Sequence, residues 1–331
     1  MSFQDIKGHD NIIHFFKREM ELKKLASAYL FFGPDAVGKT FLATTLAKAL
    51  NCLNMSSDSC DNCISCFKIK NKNHPDVVFV ENKNGKESIG IEVIRELQER
   101  INLKPYEGRT KVFIIQDSHK MTQEAQNCFL KTLEEPPRDS IIFLITPKPE
   151  DLLLTVRSRC KQIKFGPLNL TLRIELANKQ GFFKDEALFL SRLTNSGFFP
   201  PKNLHETKGG QNLIDYKNSI IDEFSGNNDI LLDEKNFIFS EAKGRMKFII
   251  SIIESWFRDI LVLKSTGDAS LIINSDKIKD LKLTQKRFSF EELEEILKEI
   301  EMAHFYIERN VGPKMAFNNL KTKIRNLSLT Q

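Results

Sequence analysis

Tyr29-Leu30-Phe31-Phe32-Gly33-Pro34-Asp35-Ala36-Val37-Gly38-Lys39-Thr40 runs from a short aromatic, apolar segment into a glycine loop. Its last eight residues fit G-x-x-x-x-G-K-[ST], in which backbone N–H groups wrap around phosphate oxygens. The run Phe41 to Leu50 then has the composition of a helix. Strand, glycine loop and helix follow one another in the order phosphate binding needs, because the helix N-terminus adds partial positive charge to the loop amides. The spacing makes Gly33, Pro34, Val37, Gly38, Lys39, Thr40 and Phe41 the candidate nucleotide-binding residues. Lys39 is expected to reach the outer phosphates of ATP, and Thr40 to hold the accompanying magnesium ion.

Working outward, the same alternation repeats. A helix is expected over about 9–24, then strands at Val77–Val80, Lys111–Ile115 and Ile141–Ile145. Helices beginning near Ile91 and Thr122 separate them and stop at Pro105 and Pro136-Pro137. Strands alternating with helices imply a parallel sheet covered on both faces, an α/β domain. After about residue 165 the strands stop. Leu170 to Asn195 reads as short helices, Gly197 to Asn212 as a linker, and the remainder as helix. Ile249, Ile252, Ile253, Trp256, Ile260 and Leu263 form one apolar stripe, and Leu293, Ile296, Leu297, Ile300 and Ile307 another. Ser289-Phe290-Glu291-Glu292 has the form of a capping box and starts the latter helix. Three domains are expected: 1–165, 166–208 and 209–331.

Cys52, Cys60, Cys63 and Cys66 gather four of the six cysteines into fifteen residues. Such spacing points to a metal more than to disulfides, and four thiolates suit a closed tetrahedral zinc site of structural type. Reduced surface thiols or a redox cluster is the other reading. Cys128 and Cys160 stand apart, Cys128 as a core residue.

The 331 residues are 41% hydrophobic, enough for real cores, and carry a formal net charge of +5. That excess permits nucleic-acid contact without demanding it, and the basic residues form no compact stripe. No apolar stretch approaches the roughly 20 residues of a membrane span, and Met1-Ser2-Phe3-Gln4-Asp5 has no signal-peptide character. A cytoplasmic protein with no membrane partner is expected.

Hydrolysis needs carboxylates beside the loop, one for magnesium and usually one to polarise water. The strand ending at Ile115 runs into Gln116-Asp117-Ser118-His119, so Asp117 is the single acid there. Binding survives that change more readily than fast turnover does. His119 reads as structural. Thr146 ends the next strand, either as a sensor of the terminal phosphate or as an ordinary strand-end hydroxyl. Beyond it, Arg159 in Ser158-Arg159-Cys160 stands at the rim of the sheet, well placed to point at a neighbouring subunit.

Together these residues resemble the delta-prime subunits of bacterial DNA polymerase III clamp loaders, which are AAA+ proteins. The loop, the four cysteines, His74-Pro75-Asp76, Leu130 to Pro137 and Ser158-Arg159-Cys160 carry the resemblance. Trp256 to Leu261 and Arg309 to Ala316 extend it into the last third. The gamma/tau motor subunits share the zinc module and Ser-Arg-Cys but keep Asp-Glu where this chain has Gln116-Asp117. The resemblance implies a P-loop AAA+ domain with a zinc knuckle, a small helical lid and an all-α collar for oligomerisation. It implies assembly with gamma/tau and delta subunits, and ATP-driven loading of a sliding clamp on primed DNA. Arg159 would act in trans as an arginine finger, with weak or no ATPase activity in this chain alone. The family's second sensor arginine has no counterpart over 196–202, where Lys202 is the only cation. An active gamma/tau-like ATPase and a non-replicative AAA+ repair factor are the competing readings.

Overall fold

The computed structural model describes residues 2–54, 57–81, 88–182, 184–194, 212–224, 243–308 and 313–328. Lys202, most of the expected linker and Arg309 to Gly312 lie outside the described residues. By packing, the chain divides into two compact units, one running to Arg173 and one starting at Ile174.

The first unit is built on five strands: β1 (Ala28–Phe32), β2 (Val77–Val80), β3 (Lys111–Ile115), β4 (Ser140–Thr146) and β5 (Lys161–Lys164). They pair in parallel in the order β2-β3-β4-β1-β5. Parallel strands need crossovers, and the helices supply them. These are α2 (Lys39–Asn51), α3 (Ile64–Lys70), α4 (Ile91–Ile101), α5 (Gln123–Glu134) and α6 (Leu154–Ser158), while α1 (Asp10–Glu21) precedes the first strand.

Both faces of β1 are buried because its side chains alternate between two cores. Tyr29 and Phe31 meet Phe16 of α1 and Phe143 of β4, with ring centroids 5.1 to 5.6 Å apart. Ala28 and Leu30 face the other way, into a cluster with Ile94, Leu97, Phe129, Ile142 and Leu144. On the face of Tyr29 and Phe31, Phe165 completes a five-ring cluster against Phe31, 5.2 Å away. The edge strand β5 has the polar sequence Lys-Gln-Ile-Lys and was not expected as a strand. Exposed lysines on an edge also deter pairing with another sheet.

Two side chains pin the loop entering β3. The Asp76 carboxylate accepts the N–H groups of Tyr106, Glu107 and Gly108 at 2.7, 2.9 and 2.7 Å. Asn51, at the end of α2, accepts from Arg109 and Thr110 and donates to the Thr110 carbonyl. Burial alone would raise the Asp76 pKa, but these backbone donors outweigh it and hold the carboxyl below its ordinary value of 3.8. A depressed folded-state pKa stabilises the fold above the unfolded value, and that contribution drains away as pH falls below about 3.8. Asp76→Ala leaves three part-buried backbone donors without their acceptor and should cost about 3 kcal/mol. Urea unfolding at pH 7 measures the loss. Repeated at pH 3, it should show a smaller gap between variant and wild type.

The second unit is helical: α7 (Leu170–Lys179, from Ile174 on), α8 (Asp185–Leu193), α9 (Leu213–Phe224), α10 (Lys243–Thr266), α11 (Ile278–Thr284), α12 (Phe290–Glu308) and α13 (Pro313–Ser328). Both predicted stripes point inward: Ile252, Ile253, Trp256, Ile260, Leu293, Ile296 and Ile300 are buried. Ala177, Phe182, Phe189 and Leu190 of the α7–α8 pair share this core. The expected capping box forms at the start of α12: Ser289 N–H donates to Glu292 Oε2 at 2.7 Å, and Glu292 N–H to Ser289 Oγ at 3.1 Å. Among the described residues no helix is long and apolar enough to cross a membrane.

Candidate functional site

The glycine loop sits at the C-terminal end of β1, where parallel sheets place their ligand sites. Gly33 has φ +134°, and a Cβ there would lie 2.2 Å from the Phe165 carbonyl, so no other residue fits. Gly38 (φ +102°) turns the chain into α2 in open space. Lys39 begins that helix and is buried, with Nζ donating to the Gly33 carbonyl at 2.6 Å and to the Pro34 carbonyl. Burial lowers its pKa, and the charges of Asp35 and then Asp117 push back. Asp35 is 4.0 Å from Nζ. Thr40 and Phe41 occupy the first turn of α2, both half-buried, with their carbonyls accepting from Thr44 and Thr45. All seven loop residues therefore surround one backbone bend.

Val37 is buried, and its carbonyl accepts from His9 Nε2 at 2.8 Å. A carbonyl only accepts, so the His9 proton resides on Nε2. Burial lowers the His9 pKa and keeps the ring neutral. His9 also sits edge-on to Phe165, 4.9 Å between centroids. It was not singled out in the sequence. A single histidine before a helix gives no signal of a partner 28 positions away.

The sheet order brings two further residues to the same edge, since β4 lies between β1 and β3. Thr146, fully buried, pairs with Phe32, the last residue before the loop. Its Oγ1 accepts the Lys148 N–H at 3.0 Å and lies 3.2 Å from His119 Nδ1. Burial depresses the His119 pKa, which leaves Nδ1 able to accept the threonine proton. Asp117 follows β3 in a left-handed conformation (φ 49°) and pairs with Lys120 at 2.7 Å. Gln116 extends the ladder through its N–H to the Val80 carbonyl.

Arg159 is elsewhere. It caps α6 immediately before β5, and β5 enters the sheet with Lys161 beside Tyr29, near the start of β1. The loop follows Phe32, which pairs with Lys164 at the other end of β5. Arg159 and the glycine loop thus occupy opposite ends of the parallel strands.

The four cysteines converge. Cys52 caps α2, Cys63 caps the N-terminus of α3, and the four Sγ atoms lie within 4.8 Å of one another. Tetrahedral Zn–S bonds of about 2.3 Å would set the sulfurs about 3.8 Å apart, so the cluster is of metal-binding size. The N–H groups of Cys60, Cys63 and Cys66 donate to Cys52, Cys60 and Cys63 sulfurs at 3.3 to 3.4 Å. Such donors favour thiolates; the backbone N–H of Asn62 leads in pulling the Cys60 pKa down to about 6. Lys48, buried beside the cluster, holds Asp61 at 2.6 Å. Cys160 is buried and Cys128 only half-buried, donating to Gln98 Oε1 at 3.4 Å.

A parallel sheet in the order β2-β3-β4-β1-β5, with a glycine phosphate loop after β1 and a strand-end threonine on the neighbouring β4, defines a P-loop domain of AAA+ type. Residues 8–169 match the family model described as DNA polymerase III, delta subunit. Bacillus subtilis DNA polymerase III subunit delta' is 36% identical over 177 residues, which are 54% of this chain and 53% of that protein. The tau subunit of the same organism is 35% identical over 178 residues, 54% of this chain and 31% of that protein. The chain spans about half, or less, of the relatives it matches. A distant structural likeness, 17% identity and TM-score 0.46, covers 96% of this chain and 99% of a DNA polymerase III gamma subunit-related protein from Thermotoga maritima. Residues 8–169, within the N-terminal unit, thus carry this family's domain, and the relatives that share it are named DNA polymerase III delta' and tau subunits.

Proposed function

We propose that this chain is a delta-prime-like subunit of the replicative clamp loader. It assembles with gamma/tau and delta subunits through its helical C-terminal region and supports ATP-driven loading of a sliding clamp on primed DNA. In this reading residues 1–165 are the nucleotide-binding module, 166–208 the lid and 209–331 the collar. The carrying observation is Arg159, at the sheet end opposite this chain's own glycine loop. An arginine so placed cannot serve the chain's own loop, and it is exposed enough to serve a neighbour's. A planar guanidinium matches the charge spread over transferring phosphoryl oxygens.

The own-site machinery supports the same assignment. Gly33 to Phe41 can cradle ATP phosphates, with Thr40 toward magnesium and Thr146 toward the terminal phosphate. Asp117 is the single acid after β3, and it is paired with Lys120. Nucleotide binding without appreciable hydrolysis follows. The cysteine cluster holds zinc, a structural ion that ties the end of α2 to α3.

ATP turnover by the purified chain alone, with Lys39→Ala as the blank, tests this. No turnover above the blank is expected; clear turnover lost in Lys39→Ala would make this chain a gamma/tau-like motor, the reading its 35% identity to tau keeps in view. Lys39→Ala should weaken ATP binding about 10- to 100-fold, the worth of a charge-assisted hydrogen bond to phosphate. Titration calorimetry reads that change directly.

A further inference from the structure

The Arg159 guanidinium is already gripped within this chain. Nε donates to Glu134 Oε1 at 2.8 Å, Nη2 donates to the same oxygen, and Nη1 donates to the Thr155 carbonyl at 2.9 Å. Three of its five N–H bonds are engaged, and two remain. Glu134 is the last residue of α5, and Pro136-Pro137 ends any continuation, so the carboxylate stands on a fixed helix end. Like Arg159, Glu134 lies at the sheet end away from the glycine loop, since α5 leads into the start of β4 at Ser140.

The pair is half in solvent, with side-chain exposures of 33% for Arg159 and 48% for Glu134. Exposed ion pairs contribute little to folding, so stability alone is a weak reason for a three-bond arrangement at the surface. Orientation is a better one. A free arginine surrenders several rotatable bonds when it meets a phosphate, whereas one already held in place has less freedom to lose.

We infer that Glu134 is a positioning residue for Arg159, turning the guanidinium so that its unused N–H bonds face the ATP of a neighbouring subunit. This rests on the trans-acting role of Arg159 proposed above. The opposite sign has a clear signature: a carboxylate that sequestered the arginine would suppress turnover, and its removal would raise it.

The test uses the complete chain assembled with the other clamp-loader subunits of its own organism, with clamp and primed DNA present. Steady-state ATP hydrolysis is followed over a range of ATP for wild type, Arg159→Ala, Glu134→Ala, Glu134→Gln and the Glu134→Ala/Arg159→Ala pair. Glu134→Ala should remove more than half of the kcat that Arg159→Ala removes, and never more than it, while KM for ATP stays within about twofold, the pattern of a misaligned group and not of lost binding. Glu134→Gln should fall between, because its amide oxygen still accepts the Nε–H. The double variant should be no worse than Arg159→Ala, since Glu134 acts only through the arginine. Turnover by Glu134→Ala at or above wild type, an additive double variant, or loss of assembly in Glu134→Ala would each overturn the inference. An unchanged Arg159→Ala complex would instead remove the arginine-finger reading itself, which separates the two failures.

Discussion

Complexes carrying Arg159→Ala should assemble normally and hydrolyse ATP far more slowly at the site this chain faces. An arginine supplied in trans contributes about 10³ to 10⁵ in rate by neutralising charge that develops on the phosphoryl oxygens. Other sites in the same assembly would keep their own arginines. Bulk turnover therefore falls by the share this site carries, and clamp loading, which needs the sites to act together, falls further. Arg159→Lys should not rescue, because an ammonium is a point charge without the planar fork that grips two oxygens. The folded chain should be indifferent to either change: its exposed contacts to Glu134 and Thr155 support little of the fold. Stopped-flow clamp loading beside a phosphate-release assay measures both quantities. Wild-type loading by an assembled Arg159→Ala complex would end the assignment.

The parts of this arrangement that were legible in the sequence are those written in local pattern. Strands β1 to β4 are continuous apolar runs because both faces of a parallel sheet are covered. The phosphate loop is legible because Gly33 and Gly38 occupy conformations other residues avoid. The cysteines declare themselves by spacing, and Ser289 and Glu292 by a cap that closes over three residues. Contacts between distant positions leave no such mark. Strand β5 is polar because it is an edge, and only its register with Tyr29 to Phe32 identifies it. His9 finds Val37, and Glu134 finds Arg159, through crossovers whose geometry no single segment encodes. Asp76 stood out only within a resemblance; its role as acceptor for three backbone donors emerges once β2 and β3 lie side by side. The likeness of α7 and α8 to a separate lid is also local, whereas their shared core with α9, α10 and α12 is a matter of packing.

Stripping metal from the cysteine cluster should be the most damaging change to the fold itself. Four buried or half-buried thiols within 4.8 Å are a poor resting arrangement without a cation. Burial pushes the Cys66 thiol up, while neighbouring N–H groups, that of Asn62 foremost, pull Cys60 down, and a bound metal would favour the thiolate form of its ligands. Zinc bound to four thiolates carries a net charge of about −2, which the buried Lys48 ammonium and three N–H donors are placed to offset. Apparent metal-binding energies at such sites reach roughly 10 kcal/mol, comparable with the whole stability of a domain. Chelation should therefore unfold the segment from Cys52 to Lys70, loosen the C-terminal end of α2, and lower the melting temperature sharply. Because α2 begins at Lys39, weaker ATP binding should accompany it. One metal per chain by elemental analysis, released together with four newly reactive thiols and restored by zinc with recovery of melting temperature, is the expected result. Cys66→Ser should reproduce the chelated state. A purified chain without metal, whose four thiols react freely while it melts as before, would reduce the cluster to a group of reduced cysteines.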